Sequence, residues 1–191
     1  MDQVSSSPSP ARVHVSELAP LRVALAGMVA LAVAMGIGRF AFTPLLPMML
    51  HDGVLDIATG SWLATANYAG YLAGALLYMA LPWLARRAAA AVPGNAALAR
   101  GGLVATVLLT GLLACPWPAS WPLLRFVAGV ASALVFLGTA NWCMGQLARL
   151  GHPQLAGLIF CGPGLGIVAT GLPTGAMVAA GWSAAAGWAT F

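Results

Sequence analysis

Of the 191 residues, 61% are hydrophobic and only 6% are charged, whereas soluble domains carry about 25% charge. With a mean hydropathy of +0.90, that balance excludes an ordinary soluble enzyme or binding module and leaves an integral membrane protein. The net charge of +4 rests on scattered arginines at the ends of apolar segments, with no lysine, so it reads as a topology signal and not as a nucleic-acid footprint.

The stretch from Met1 to about residue 20 holds Ser5-Ser6-Ser7-Pro8-Ser9-Pro10 and is expected to be a disordered, solvated cytoplasmic tail. A cleaved signal peptide does not fit, because a cut near Ala34 leaves an apolar segment that still contains Arg39. Residues 21–191 then divide into membrane-spanning helices, each needing about 20 mostly apolar residues. The first runs from about Leu21 to Leu50, with room to tilt or to bend at Pro44 and Pro47, and ends at His51-Asp52-Gly53.

The second covers about Ala58 to Leu81, followed by a loop from Pro82 through Arg86-Arg87 and Pro93-Gly94-Asn95 to Arg100. The third begins near Gly101 and stops at Cys115-Pro116-Trp117-Pro118, a membrane-surface turn. The fourth extends from about Trp121 to Leu147, closed by Arg149-Leu150-Gly151-His152-Pro153. The fifth spans about Gln154 to Val178, with a turn at Gly181-Trp182-Ser183, and a sixth begins near Ala184. The fold class is therefore an all-α, polytopic transmembrane bundle of about five complete helices and the start of another.

Arg12, Arg22, Arg86, Arg87, Arg100 and Arg149 fall on one side of this arrangement, and Asp52 and Asp56 on the other. Arginine marks the cytoplasmic side, so the N-terminus is expected inside, in a multi-pass protein of a bacterial inner membrane. Glycine pairs four residues apart recur at Gly70/Gly74, Gly162/Gly166 and Gly171/Gly175, and such pairs let helix backbones approach closely.

The residue that carries most information is Arg39, a fixed charge in the first apolar run. Hydrocarbon cannot solvate a guanidinium and arginine cannot shed its proton, so the side chain must face protein, water or an anionic ligand. No carboxylate occurs from Ile57 to Phe191 to pair with it. Thr43 lies four residues on and shares its face; in the second helix Asn67 and Tyr71 share a face, with Tyr68 adjacent. These five residues are the candidate binding set. Asn67, Asn141 and Gln146 have a plainer reading as interhelical hydrogen-bonders, Tyr78 as an interface anchor, and Arg125 as a side chain that snorkels to the surface.

Enzyme chemistry is poorly supplied. There is no HExxH, no GxSxG and no pair of intramembrane acids, and His14, His51 and His152 lie in tail or loops. Cys115, Cys143 and Cys161 lack metal-ligand spacing and receive no role. No cofactor or metal is expected; the partners are the lipid bilayer and a small-molecule substrate.

The block from Gly36 to Met49, Gly-Ile-Gly-Arg-Phe-Ala-Phe-Thr-Pro-Leu-Leu-Pro-Met-Met, resembles the first helix of the YbfB/YjiJ-type branch of the major facilitator superfamily, and Ala66 to Gly74 is similar to its second. Arg125 to Ala133 resembles the superfamily's arginine-x-x-x-glycine motif, whose arginine is associated with proton coupling. Gly162-Pro163-Gly164-Leu165-Gly166 resembles a Gly-Pro antiporter motif linked with export. The resemblance implies secondary transport by alternating access, with Arg125 in coupling and Gly162, Pro163 and Gly166 in helix packing. It implies twelve helices in two halves, so the chain reads as the N-terminal half, truncated in its sixth helix and completed by a C-terminal half or a second copy. The usual aspartate of the loop between the second and third helices is missing here. The competing readings are a non-transporting scaffold or assembly subunit and a dimerising half-transporter.

Overall fold

The computed structural model describes the backbone of residues 10–115 and 117–191, and the side chains of residues 19–115 and 117–191. Helix α1 (Pro10–Leu31) runs without a break into a π-helical segment, Ala32–Phe40, and then into α2 (Phe42–His51). Together they form one span whose membrane-competent part is Ala19–His51. Residues 1–9 of the expected tail lie outside the described residues, while Pro10 onward is already helical.

The second span is α3 (Ile57–Arg87), the third α4 (Asn95–Leu113), and the fourth α5 (Trp121–Arg149), entered through a 3-10 turn at Pro118–Ser120. A fifth combines a 3-10 turn at Pro153–Leu155 with α6 (Ala156–Ile159) and α7 (Cys161–Ala179), and α8 (Ala184–Thr190) starts the last element. Five helices among the described residues are long and apolar enough to cross a membrane, as the composition indicated.

Two boundaries differ from the sequence expectation. Helix α3 continues past Leu81 to Arg87 with Pro82 inside it, and α4 starts at Asn95 instead of Gly101. A proline inside a membrane helix is tolerated when neighbours re-satisfy the freed carbonyl, so Pro82 does not end the segment. Arg86, Arg87 and Arg100 therefore sit on helix ends, and the loop between them is short. The turn at Gly53 is where expected, with φ +67° and a Val54 N–H bonded to the Met49 carbonyl at 3.2 Å. Gly181 repeats the device, with φ +70° and Trp182 N–H on the Met177 carbonyl at 3.0 Å.

Helix packing follows the small residues. On α3, a Cβ added to Gly70 meets the Phe126 carbonyl carbon at 2.7 Å, and one on Gly74 meets Val130 Cα at 2.8 Å. Gly129 of α5 faces back, within 2.7 Å of the Tyr71 nitrogen by the same measure. This seam brings α3 and α5 into backbone contact. On α7, Gly162 packs on Met28 and Ala32, and Gly166 on Ala32 and Gly36 of the first span. Gly171 and Gly175 have open space around them, so the third glycine pair makes no helix contact in the fold.

Polar ties fix the two ends. At one end Tyr78 donates its hydroxyl to Asn95 Oδ1 at 2.9 Å, and Asn141 Nδ2 donates to Tyr78 at 3.0 Å, joining α3, α4 and α5. Asn141 thus hydrogen-bonds between helices, as its plainer reading held. At the other end Asp52 Oδ2 accepts from the Ala184 N–H at 2.7 Å and so caps α8 from the first turn. Asp56 caps α3 by accepting from Thr59 N–H at 2.7 Å, and hydrogen bonding from Thr59 holds its carboxyl below the ordinary value.

Candidate functional site

Three helices meet around the two intramembrane arginines. The π-helical segment ends in Gly38-Arg39-Phe40, α3 passes beside it with Ala64, Asn67, Tyr68 and Tyr71, and α5 contributes Arg125 from its second turn. Arg39, Phe40, Phe42, Thr43, Ala64, Asn67, Tyr68 and Arg125 line one small pocket of about 20 Å³, room for about one water. That is far below the usual range of roughly 300–1,000 Å³ for small-molecule sites, so it suits a subsite on a binding wall more than a closed cavity.

Arg39 is half-buried, and its guanidinium lies 4.1 Å from the Tyr71 ring centroid, 5.1 Å from Tyr68 and 5.4 Å from Phe40. Stacked aromatic faces offset part of the cost of taking a cation out of water, and guanidinium is the cation best shaped for it. Its Nε has no hydrogen-bond partner. Thr43 is exposed beside it on the same face, and Tyr68 is 55% exposed. The five binding candidates are therefore brought together, four on the pocket wall and Tyr71 against the guanidinium.

Arg125 departs from the snorkelling alternative. It is 2% exposed, with its guanidinium 4.6 Å from the Phe42 ring centroid. Its Nη2 donates to the Arg39 carbonyl at 3.2 Å and its Nη1 reaches the Gly38 carbonyl at 3.5 Å, while its Nε is unpartnered. Asn67 is also buried and donates Nδ2 to the Arg125 carbonyl at 2.9 Å, clamping α3 onto α5 beside the pocket. The only ion pair among the described residues is His51–Asp52, so neither guanidinium is neutralised by a carboxylate.

Phe40, Phe42 and Ala64 were not singled out from the sequence. Phe42 was findable, since it stands three residues after Arg39 and returns to the same side of a helix. Of the packing set, Pro163 stands in the first turn of α7, where a missing N–H costs little because that donor has no intrahelical acceptor. No group of metal-ligating side chains occurs among the described residues.

No curated protein and no solved structure matches the chain. A family model described as the uncharacterised MFS-type transporter YbfB matches residues 31–191, which include every residue of the arginine pocket, and the chain belongs to that family of membrane transporters.

Proposed function

We propose that the protein moves a small anionic or polar molecule across the membrane by alternating access, with Arg39 as the electrostatic anchor of its substrate site. The observation that carries this reading is a half-buried guanidinium with no carboxylate partner among the described residues, held over Tyr71 and Tyr68 beside a small pocket. A cation held this way is stabilised by ring faces and is left with donors for an incoming acceptor. Thr43, Asn67, Tyr68 and Tyr71 supply the surrounding polar and aromatic wall. The small volume and the exposure of Tyr68 support a site whose opposite wall is further protein, either a C-terminal half or a second copy. Proton-coupled export is the finer part of the proposal; its support is the likeness of the Arg125–Gly129 and Gly162–Gly166 blocks to the superfamily's motifs. A bacterial inner membrane with a cytoplasmic N-terminus completes it, on the distribution of arginines.

The test uses the protein purified in mild detergent and a probe panel of succinate, citrate, benzoate and glucose 6-phosphate, with tetraphenylphosphonium as the cationic control. At least one anion is expected to raise the melting temperature of the wild type and to leave Arg39→Ala unmoved. Stabilisation by the cation alone, or equally by anions in both proteins, removes Arg39 from the anchor role.

A further inference from the structure

Arg39 and Arg125 line the same small void, and Thr43, Asn67 and Tyr68 complete its polar wall. Two guanidiniums on one void at membrane depth repel each other in a low dielectric, and neither can lose its proton to escape. The two acidic side chains among the described residues are spent elsewhere: Asp52 accepts from the Ala184 N–H and Asp56 from the Thr59 N–H. What does meet the two cations is neutral. Arg39 lies over Tyr71 and Tyr68, while Arg125 lies over Phe42 with its Nη atoms on the Gly38 and Arg39 carbonyls. Each arginine is left with one unspent donor, for the Nε atoms of Arg39 and Arg125 are both buried and have no hydrogen-bond partner. A buried donor on a charged group is costly to leave unmatched, so two of them at one void point to an acceptor that serves both.

The dimensions of the void select that acceptor. At about 20 Å³ it has room for about one water. Water fits and accepts a hydrogen bond, but it leaves both positive charges unopposed. A phosphate or a whole carboxylic acid is too large. A halide is close to water in size and brings the missing negative charge. We propose that Arg39 and Arg125 jointly hold one halide-sized anion in this void, each donating its Nε–H to it. This rests on the reading of Arg39 as an anion anchor, and it adds Arg125 as a second ligand and a size limit at that point of the site. The anion turns the repulsion between the guanidiniums into two attractions and ties the first span to α5. A larger organic anion that reaches Arg39 from the exposed side of Thr43 and Tyr68 then competes with the halide.

The test compares melting temperatures of the protein in mild detergent in sodium chloride or bromide against sodium gluconate at equal ionic strength. Both halides are expected to give a saturable rise over gluconate. Arg39→Ala and Arg125→Gln are each expected to lose it. Arg125→Lys keeps the charge but not the Nε–H, and is expected to need roughly tenfold more chloride for half of the rise, the weight of one charge-assisted hydrogen bond. Thr43 is exposed on the pocket wall, so Thr43→Glu supplies a carboxylate without filling the core and is expected to lose the chloride dependence. If neither Arg125 variant folds, crystals of the wild type grown in bromide decide, with an anomalous peak expected in contact with both Nε atoms. No peak, a peak on Arg39 alone, or a peak without any halide effect on melting (an adventitious ion only) overturns the proposal, as does a chloride response that survives Arg125→Gln. Stabilisation by succinate or benzoate through Arg39 without a halide response sinks the halide site and spares the substrate anchor; a halide response without any organic one does the reverse.

Discussion

Arg39 combines a charge with a flat face, and the two properties separate under substitution. Lysine keeps the charge but not the plane that lies 4.1 Å from the Tyr71 centroid. A cation–π contact in a partly desolvated site is worth about 1–2 kcal/mol, so Arg39→Lys is expected to weaken anion binding by roughly tenfold where Arg39→Ala abolishes it. The concentration of anion needed for half-maximal thermal stabilisation measures this. Tyr71→Phe retains the ring and is expected to bind like the wild type, whereas Tyr71→Leu is expected to match Arg39→Lys. Equal binding by Tyr71→Leu and the wild type removes the ring from the account. Asn67 shows why a polar residue in the same pocket need not touch substrate: its amide is already committed to the Arg125 carbonyl.

Among the elements, α3 and α5 are joined most tightly, because their glycines place backbone on backbone. A methyl group on Gly70 meets the Phe126 carbonyl, which belongs to a helix and cannot step aside, whereas one on Gly171 meets nothing within 4 Å. Overpacking of this kind costs about 1–3 kcal/mol or more. Gly70→Ala is therefore expected to lose most of its monodisperse yield in mild detergent, while Gly171→Ala purifies like the wild type. Comparable behaviour of the two variants contradicts the seam. The spacing of the three glycine pairs is identical in the sequence, and only the fold distinguishes the two that pack from the one that does not. The same limit applies to the first span. Pro44 and Pro47 pointed to a bend at the prolines, whereas the span takes a π-helical winding over Ala32–Phe40, just before them. The Gly38 and Arg39 carbonyls at its end are met by Arg125 of α5, more than eighty positions away. Hydropathy and turn glycines made the spans and their order legible, since both signals are local. Arg39 and its tyrosines were legible because a charge in an apolar run is an anomaly on its own helix. The buried lodging of Arg125 was not, because Phe42 and the Arg39 carbonyl reach it from another helix.

At the scale of the molecule, the polar ties sort the turns into two ends. The Tyr78–Asn95–Asn141 bonds mark the end that carries Arg86, Arg87, Arg100 and Arg149, and the Asp52–Ala184 bond marks the other, which has Asp52 and Asp56 and no loop arginine. Acidic residues contribute little to insertion, so the proposed orientation, with the arginine end in the cytoplasm, rests on the arginines alone. Single cysteines test this in a background with the three native ones replaced. Gly94 suits the arginine end, being exposed with open space where a side chain would go. Val54, 42% exposed, suits the opposite end. A charged, membrane-impermeant maleimide added to intact spheroplasts is expected to label Val54→Cys readily and Gly94→Cys only after permeabilisation. The reverse pattern inverts the protein in the membrane. It also reverses the direction implied for transport, while leaving the internal geometry of the arginine pocket unchanged.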